Sequence, residues 1–413
     1  MNSHASRPRT ALVIGAGMVG LATAWHLQRR GIDVTVIDRT GVAAGSSWGN
    51  AGWLTPGLAM PLAEPSLWTY APRALLDPNA ALHIPVRLQP RLWRFLLRFI
   101  GHATARTWRR TMADLTPIDR LALDAYDELR AGGVAARSRE IDFLVAFESV
   151  RQARAFRHEL AGVEAAGQQV PLRRLDSTQE LVPQVADLPY AYALGGQRII
   201  EPGPFVESLA DAVRDRGAKI ITGETVRDVE QVPGAGVRVD LGNGRTEAAD
   251  VAVLATGAWL PELARPLGVR TPVQAGRGYS FTVSGAIDHP VYFPARRVAC
   301  TPYQGRFRIA GTMEFRGPDE PLQPRRINAI VNSVRDLLPG LDLDRRSDEW
   351  VGSRPVTTDG LPLIGATRLP GVYVAGGHGM WGIVLGPATG RLLADQITTG
   401  TVPEALRPFN PLR

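Results

Sequence analysis

Residues 11–38 restrict the fold more than any other stretch of the chain. Ala11-Leu12-Val13-Ile14 is an unbroken apolar run, Gly15-Ala16-Gly17-Met18-Val19-Gly20 follows it without a spacer, and Val34-Thr35-Val36-Ile37-Asp38 closes on an acid. Between them, the run from Val19 to Leu27 keeps apolar residues at helical spacing until Gly31 stops it. Strand, glycine turn, helix and second strand make a parallel βαβ unit. Each glycine has a physical task in such a unit. Gly15 makes the tight turn, Gly17 lets main chain approach a pyrophosphate, and Gly20 lets the helix pack close on the strand. The first helical N–H groups, from Met18 and Val19, then face the phosphates, and Asp38, followed by Arg39, accepts from ribose hydroxyls. The unit predicts a dinucleotide site and does not say which dinucleotide.

A chain of 413 residues allows two or three domains and a core that needs no covalent staple. Its one cysteine, Cys300, excludes an intrachain disulfide and a cysteine metal cluster, so no metal site is expected and a cytoplasmic or cytoplasm-facing protein is. Met1 to Thr10 is polar and lacks the apolar centre of a signal peptide. No run approaches the ~18 apolar residues of a membrane span. Lys219 is the only lysine among 47 basic residues, a skew that fits genome composition better than function. The net charge of +7 is spread from Arg7 to Arg413 without a basic block, which argues against nucleic acid as a partner.

Further along, Gly45-Ser46-Ser47-Trp48-Gly49-Asn50-Ala51-Gly52 is rich in small residues and hydroxyls. Such a loop lets main chain lie against a flat ligand and donates to phosphate; the competing reading is an ordinary surface loop. Residues 60–90 are proline-rich and read as irregular. From Leu92 to Arg110, arginines alternate with Trp93, Phe95 and Phe99. That composition suits a helix packed on its own domain with arginines outward, or one lying on an anionic membrane surface. Helices are expected over 117–130, 150–166 and 202–216. Strands are expected over 141–147, 218–222, 237–241 and 245–248, the last two around a Gly242-Asn243-Gly244 turn. A buried strand over 251–254, downstream of Val226, ends on Ala255-Thr256-Gly257, and strands over 273–283, 291–293, 298–301 and 307–312 suggest an antiparallel sheet. The expected fold is α/β: a Rossmann-like domain with a parallel sheet (8–60, 196–270 and 351–413) and an α+β substrate domain on an antiparallel sheet (61–195 and 271–350).

Near the end stand Arg354-Pro355-Val356-Thr357-Thr358-Asp359-Gly360-Leu361-Pro362-Leu363-Ile364-Gly365 and then Val372 to Ile383, a strand, a turn containing Gly376, Gly377, His378 and Gly379, and a helix opening at Gly382 and Ile383. With these segments, the 46–57 loop and Ala255-Thr256-Gly257, the chain resembles the D-amino-acid oxidase and glycine oxidase superfamily of FAD enzymes over nearly its whole length. Within that superfamily it looks most like the bacterial D-amino-acid dehydrogenase small subunits. The resemblance implies FAD, with the residues named above around its ADP half and the 377–383 turn and helix at the flavin. It implies that Arg354 binds a substrate carboxylate through two parallel hydrogen bonds, that Tyr279 contacts substrate, and that His378 meets the flavin by its backbone more than by its imidazole. Neither Lys219 nor Cys300 stands where the sarcosine-oxidase branch activates oxygen or attaches its flavin, so FAD is expected to be non-covalent. The implied reaction is oxidative deamination of D-amino acids, with hydride passing from Cα to flavin N5, a 2-oxo acid and ammonia leaving, and electrons going to a quinone. Segment 91–110 would then give peripheral contact with the inner face of the cytoplasmic membrane. Two other readings stand beside it: oxidation of secondary amine acids such as D-proline, hydroxyproline or sarcosine-like compounds, and a non-catalytic FAD-binding subunit of a larger complex.

Overall fold

The computed structural model describes residues 7–86, 88–242 and 244–413. In chain order, the elements that build the site are β1 (Thr10–Ile14), α1 (Met18–Arg29), β2 (Asp33–Asp38), α2 (Pro90–Gly101), β3 (Val251–Leu254), β4 (Val273–Ser284), β5 (Val298–Tyr303), β6 (Arg306–Phe315), β7 (Arg346–Thr357), β8 (Val372–Gly376) and α3 (Gly382–Thr399).

β1 lies inside a six-stranded sheet ordered Lys219–Thr222, β2, β1, β3, β8, Leu363–Ala366, in which every neighbouring pair but the last is parallel. The apolar runs of β1 and β3 are unbroken because both faces of this sheet are covered. Ala11 and Val13 pack with α1, α3 and Pro202–Asp215, while Leu12 and Ile14 pack with Val237 and Val239 of a small three-stranded sheet. Glycine is required at the first turn. Gly15 has φ +116°, and a Cβ on it would stand 2.4 Å from the Ala255 carbonyl oxygen; one on Gly20 would stand 1.9 Å from the carbonyl oxygen of Gly15. α1 and α3 cross backbone against backbone, since a Cβ on Gly390 would lie 2.6 Å from the Ala22 carbonyl carbon. Each helix follows the C-terminal end of its strand, so both open at one edge of the sheet.

The second sheet is mostly antiparallel and runs β7, β4, β6, β5, Val291–Phe293, Phe143–Phe147, Tyr190–Leu194, Leu172–Leu175, with Leu82–His83 added beside β6. Only the pairings of Val291–Phe293 with Phe143–Phe147 and of Leu82–His83 with β6 are parallel. One face, with Tyr279, Phe281, Phe307 and Ile309, packs on helix Pro324–Val334. The other face, with Gly278, Ser280, Thr301, Arg308 and Arg354, turns toward the 46–53 loop. The architecture is the expected one: a parallel α/β unit and an α+β unit on an antiparallel sheet.

Several local expectations need correcting. The 60–90 segment contains helix Leu67–Leu76, hidden because it is short and carries Pro72, together with the strand Leu82–His83. No helix opens at Pro117. That proline sits in the last turn of Ala105–Asp119, and the next helix is Ala122–Ala131, because proline breaks the hydrogen-bond ladder where it falls. Gly236–Asp240 and Thr246–Ala249 do pair antiparallel, joined by an unanticipated third strand, Asp228–Val232; the Asn243 turn position lies outside the described residues. β7, which carries Arg354, was also not expected as a strand.

Candidate active site

The edge where α1 and α3 open encloses a cavity of about 220 Å³. It brings together most of the residues the sequence singled out. Gly15, Gly17, Met18, Val19, Asp38, Arg39, Ser46, Ser47, Asn50, Val226, Ala255, Thr256, Gly257, Arg354, His378, Gly379, Gly382 and Ile383 all line it. Gly20, Ala51, Gly52, Gly377 and Tyr279 do not. Gly20 seats α1 on the sheet, and Gly52 packs against the Ile200 carbonyl.

At the β1 end, Asp38 is held by three backbone N–H groups. Its Oδ2 accepts from Ala16 at 2.8 Å, and its Oδ1 accepts from Thr40 and Gly41 at 2.8 and 2.9 Å. A carboxylate has about four acceptor positions, so one stays open toward the cavity. Ser47 Oγ accepts from the Met18 N–H at 3.1 Å. Thr256 Oγ1 is buried in the wall and has no partner among the described residues, Ser47 is the one side chain on the first turn of α1, and Trp381 gives α3 no side-chain cap. Two helix N-termini with first-turn N–H groups still free of side-chain caps and an orphaned hydroxyl around one cavity call for an anionic ligand with many acceptors. Arg39 stacks on the Trp259 ring at 3.8 Å, and both side chains bond Asp319. No local pattern marks Trp259, whose place depends on packing between segments far apart in the chain.

At the other end, Arg354 of β7 faces Gly276 of β4, while Gly352 faces Gly278. The guanidinium leans over Gly278, where a Cβ would stand 2.2 Å from its central carbon. No carboxylate pairs with it among the described residues, and burial pushes it down to about 10, so it is still a cation at neutral pH. Trp350, two positions before Gly352 on the same face, lies flat against Gly49 and Gly352; a Cβ on either glycine would come within 2.2 Å of the indole. The alternating glycines of β4 were the available sign of this trough, since glycine inside a strand marks close approach by another group.

His378 is 4% exposed, bridges Val356 through its backbone, and its Nε2 lies 3.0 Å from Thr389 Oγ1 on α3. Burial pushes its imidazole down to about 4, so it is neutral. Tyr279 falls on the opposite face of β4. It is fully buried, and its hydroxyl donates to Glu314 at 2.9 Å. The structure therefore does not bring it to the cavity, because adjacent residues of a strand point to opposite faces.

Residues 10–396 match the family model described as FAD dependent oxidoreductase. The chain is 33% identical over 407 residues to a D-amino acid dehydrogenase from Methylobacterium nodulans, covering 95% of this chain and 96% of that one. It is 32% identical to a D-amino acid dehydrogenase from Xanthobacter autotrophicus, covering 94% of each. Among solved structures, glycine oxidase from Geobacillus kaustophilus superposes with a TM-score of 0.75 at 22% identity, over 98% of this chain and 99% of that one, a likeness of fold.

Proposed function

The chain belongs to the FAD-dependent oxidoreductase family, and on that premise we propose that it oxidises amino acids at the Cα–N bond, with D-amino acids as its substrate class. The observation that carries this reading is Arg354, an unpaired, half-buried guanidinium at the end of a cavity whose other end offers helix N–H groups and Asp38. The donor set fits a dinucleotide: Asp38 and α1 would hold the ADP half of non-covalent FAD, and the opening of α3 would meet its flavin. The two dehydrogenase relatives favour the D series.

Bound FAD supplies a two-electron acceptor for the hydride that leaves Cα. Arg354 holds the substrate carboxylate by two parallel hydrogen bonds, which fixes the direction of the Cα–H bond. The N-terminus of α3 directs its positive dipole end at the place where negative charge develops, and its backbone is kept there by His378 bonded to Thr389. Burial holds the His378 imidazole down at about 4 and Thr389 engages its Nε2, so it is a poor acceptor for the amine proton. That proton goes to water on binding, and the imino product hydrolyses to a 2-oxo acid and ammonia.

We further propose a quinone acceptor reached by peripheral contact with an anionic membrane. No helix among the described residues is long and apolar enough to cross one. Arg91, Arg94 and Arg98 of α2 line a groove with Arg265 and Arg270, with no carboxylate in its walls, and Leu97 beside them is 71% exposed. Flotation with anionic vesicles, absent with zwitterionic ones, tests this contact.

Anaerobic mixing of the FAD-loaded protein with D- and L-amino acids tests the main reading. Bleaching of the flavin by D-amino acids is expected, and it should require at least about a hundredfold more substrate in Arg354→Ala, which keeps its FAD, given ~1.5–3 kcal/mol per charged hydrogen bond. No bleaching by any amino acid would overturn it.

A further inference from the structure

The 46–53 loop is fastened to the antiparallel sheet by its carbonyls. Arg308 Nη1 donates to the Trp48 carbonyl at 3.2 Å, Ser280 Oγ to that of Gly49 at 2.6 Å, and Thr301 Oγ1 to that of Ala51 at 2.7 Å. The three donors come from β6, β4 and β5 and are all buried. Thr301 also accepts from Trp53 Nε1 at 2.8 Å, which closes the far end of the loop. In a trans peptide the N–H of the next residue points opposite to the carbonyl. With the Trp48 and Gly49 carbonyls turned to the sheet, the N–H groups of Gly49 and Asn50 point away from it, on the side where Asn50 lines the cavity. Neither donates to a protein acceptor among the described residues, whereas the Gly52 N–H is taken by Asn50 Oδ1 at 2.8 Å.

Arg308 is the costly member of this set. It is 1% exposed, lies 3.7 Å from the Tyr303 ring centre and 5.1 Å from that of Trp48, and its Nε and Nη2 meet no hydrogen-bond geometry among the described residues. The groups that favour its charge are the Tyr303 phenol beside it and then Asp348, which is itself paired with Arg306 at 2.8 Å. A buried cation without a counter-ion is unfavourable, and a methionine would pack here without that penalty.

We propose that Arg308 is a positioning residue for the flavin. It fixes the Trp48 carbonyl, thereby aims the Gly49 and Asn50 N–H groups at the cofactor, and adds the field of a positive charge that has no directly paired acid among the described residues. Two-electron reduction of FAD with uptake of one proton leaves one negative charge on the cofactor, and donors held in advance at that charge favour the reduced form. Arg308 therefore raises the midpoint potential. This inference rests on FAD occupying the cavity and not on the identity of the substrate.

The test is the midpoint potential of the FAD-loaded protein, read spectroscopically against a reference dye without substrate, so that a failure of the amino-acid reading leaves the measurement untouched. Arg308→Met should shift the potential to more negative values by about 30 mV or more, a tenfold change in the preference for reduced over oxidised flavin. Arg308→Lys should recover part of the shift, and Ser280→Ala should show a smaller shift of the same sign. If Arg308→Met does not fold, Ser280→Ala, which removes one hydroxyl, carries the test with Arg308→Lys. Parent potentials in the FAD-loaded variants would overturn the proposal.

Discussion

Arg354 on β7 and Gly278 on β4 share one space: the guanidinium lies where a side chain on the glycine would have to go, 2.2 Å from its ideal Cβ. The two are not register partners, so the arginine leans along the sheet to reach that place. Gly278→Ala should displace the guanidinium while leaving its charge in the site. We expect KM for the amino-acid substrate to rise about 10- to 100-fold, the equivalent of one charged hydrogen bond, with FAD content unchanged. A parent-like KM would mean that Arg354 does not set the carboxylate position.

Tyr279 gives the opposite expectation. Its hydroxyl serves Glu314, which also pairs with Arg316 at 2.7 Å, and burial holds the phenol well above its usual range. Tyr279→Phe should leave KM and kcat within about twofold of the parent and cost on the order of 1.5–3 kcal/mol of stability, a bond to a charged group. Steady-state kinetics with a denaturant titration separates the two effects; a large rise in KM at parent stability would contradict the placement.

Two histidines should make the fold acid-labile. Burial pushes His378 down to about 4 and His26, 0% exposed, down to about 3. In the unfolded chain both return to about 6.5, so the unfolded state binds more protons as pH falls below that value. This contribution is complete above pH ~6.5 and is lost toward pH 4, with His378 accounting for on the order of 3 kcal/mol. His378→Asn should flatten the decline between pH 6.5 and 4 in urea titrations. An equally steep decline in that variant would show that His378 is not one of the titrating groups.

Asp119 acts at the other end of the scale. It is 1% exposed, both carboxylate oxygens lack partners, and burial raises it well above the usual carboxylate range. The folded chain keeps a proton that the unfolded chain releases above ~3.9, so stability falls as pH rises from there toward the folded value. Asp119→Asn should match the parent near pH 4 and exceed its Tm at pH 8. A constant difference across that range would show that ionisation is not the cause.

What the chain disclosed in advance follows from how local each signal is. β1, α1 and β2 are written in contiguous residues, because strand burial, glycine geometry and helical period all act over a few positions. The motif over 354–365 singles out Arg354, although nothing local marks β7 as a strand. Tyr279 was misplaced because β4 is buried on both faces, and period-two alternation then says nothing about which face holds the cavity. Gly276 and Gly278 carried that information. Trp259, Trp350 and the carbonyl bonds made by Arg308 join segments far apart in the chain, and no window of sequence contains them.

The contact of Ala22 with Gly390 also sets an order of events during synthesis. α1 leaves the ribosome early, but the helix that lies against its backbone is the product of residues 382–399. In the interval β1 lacks β3 at its side and the buried stripe of α1 has no cover, so the nascent chain carries apolar surface that the finished fold hides. The face of α1 that Gly390 meets therefore stays open until α3 has been made.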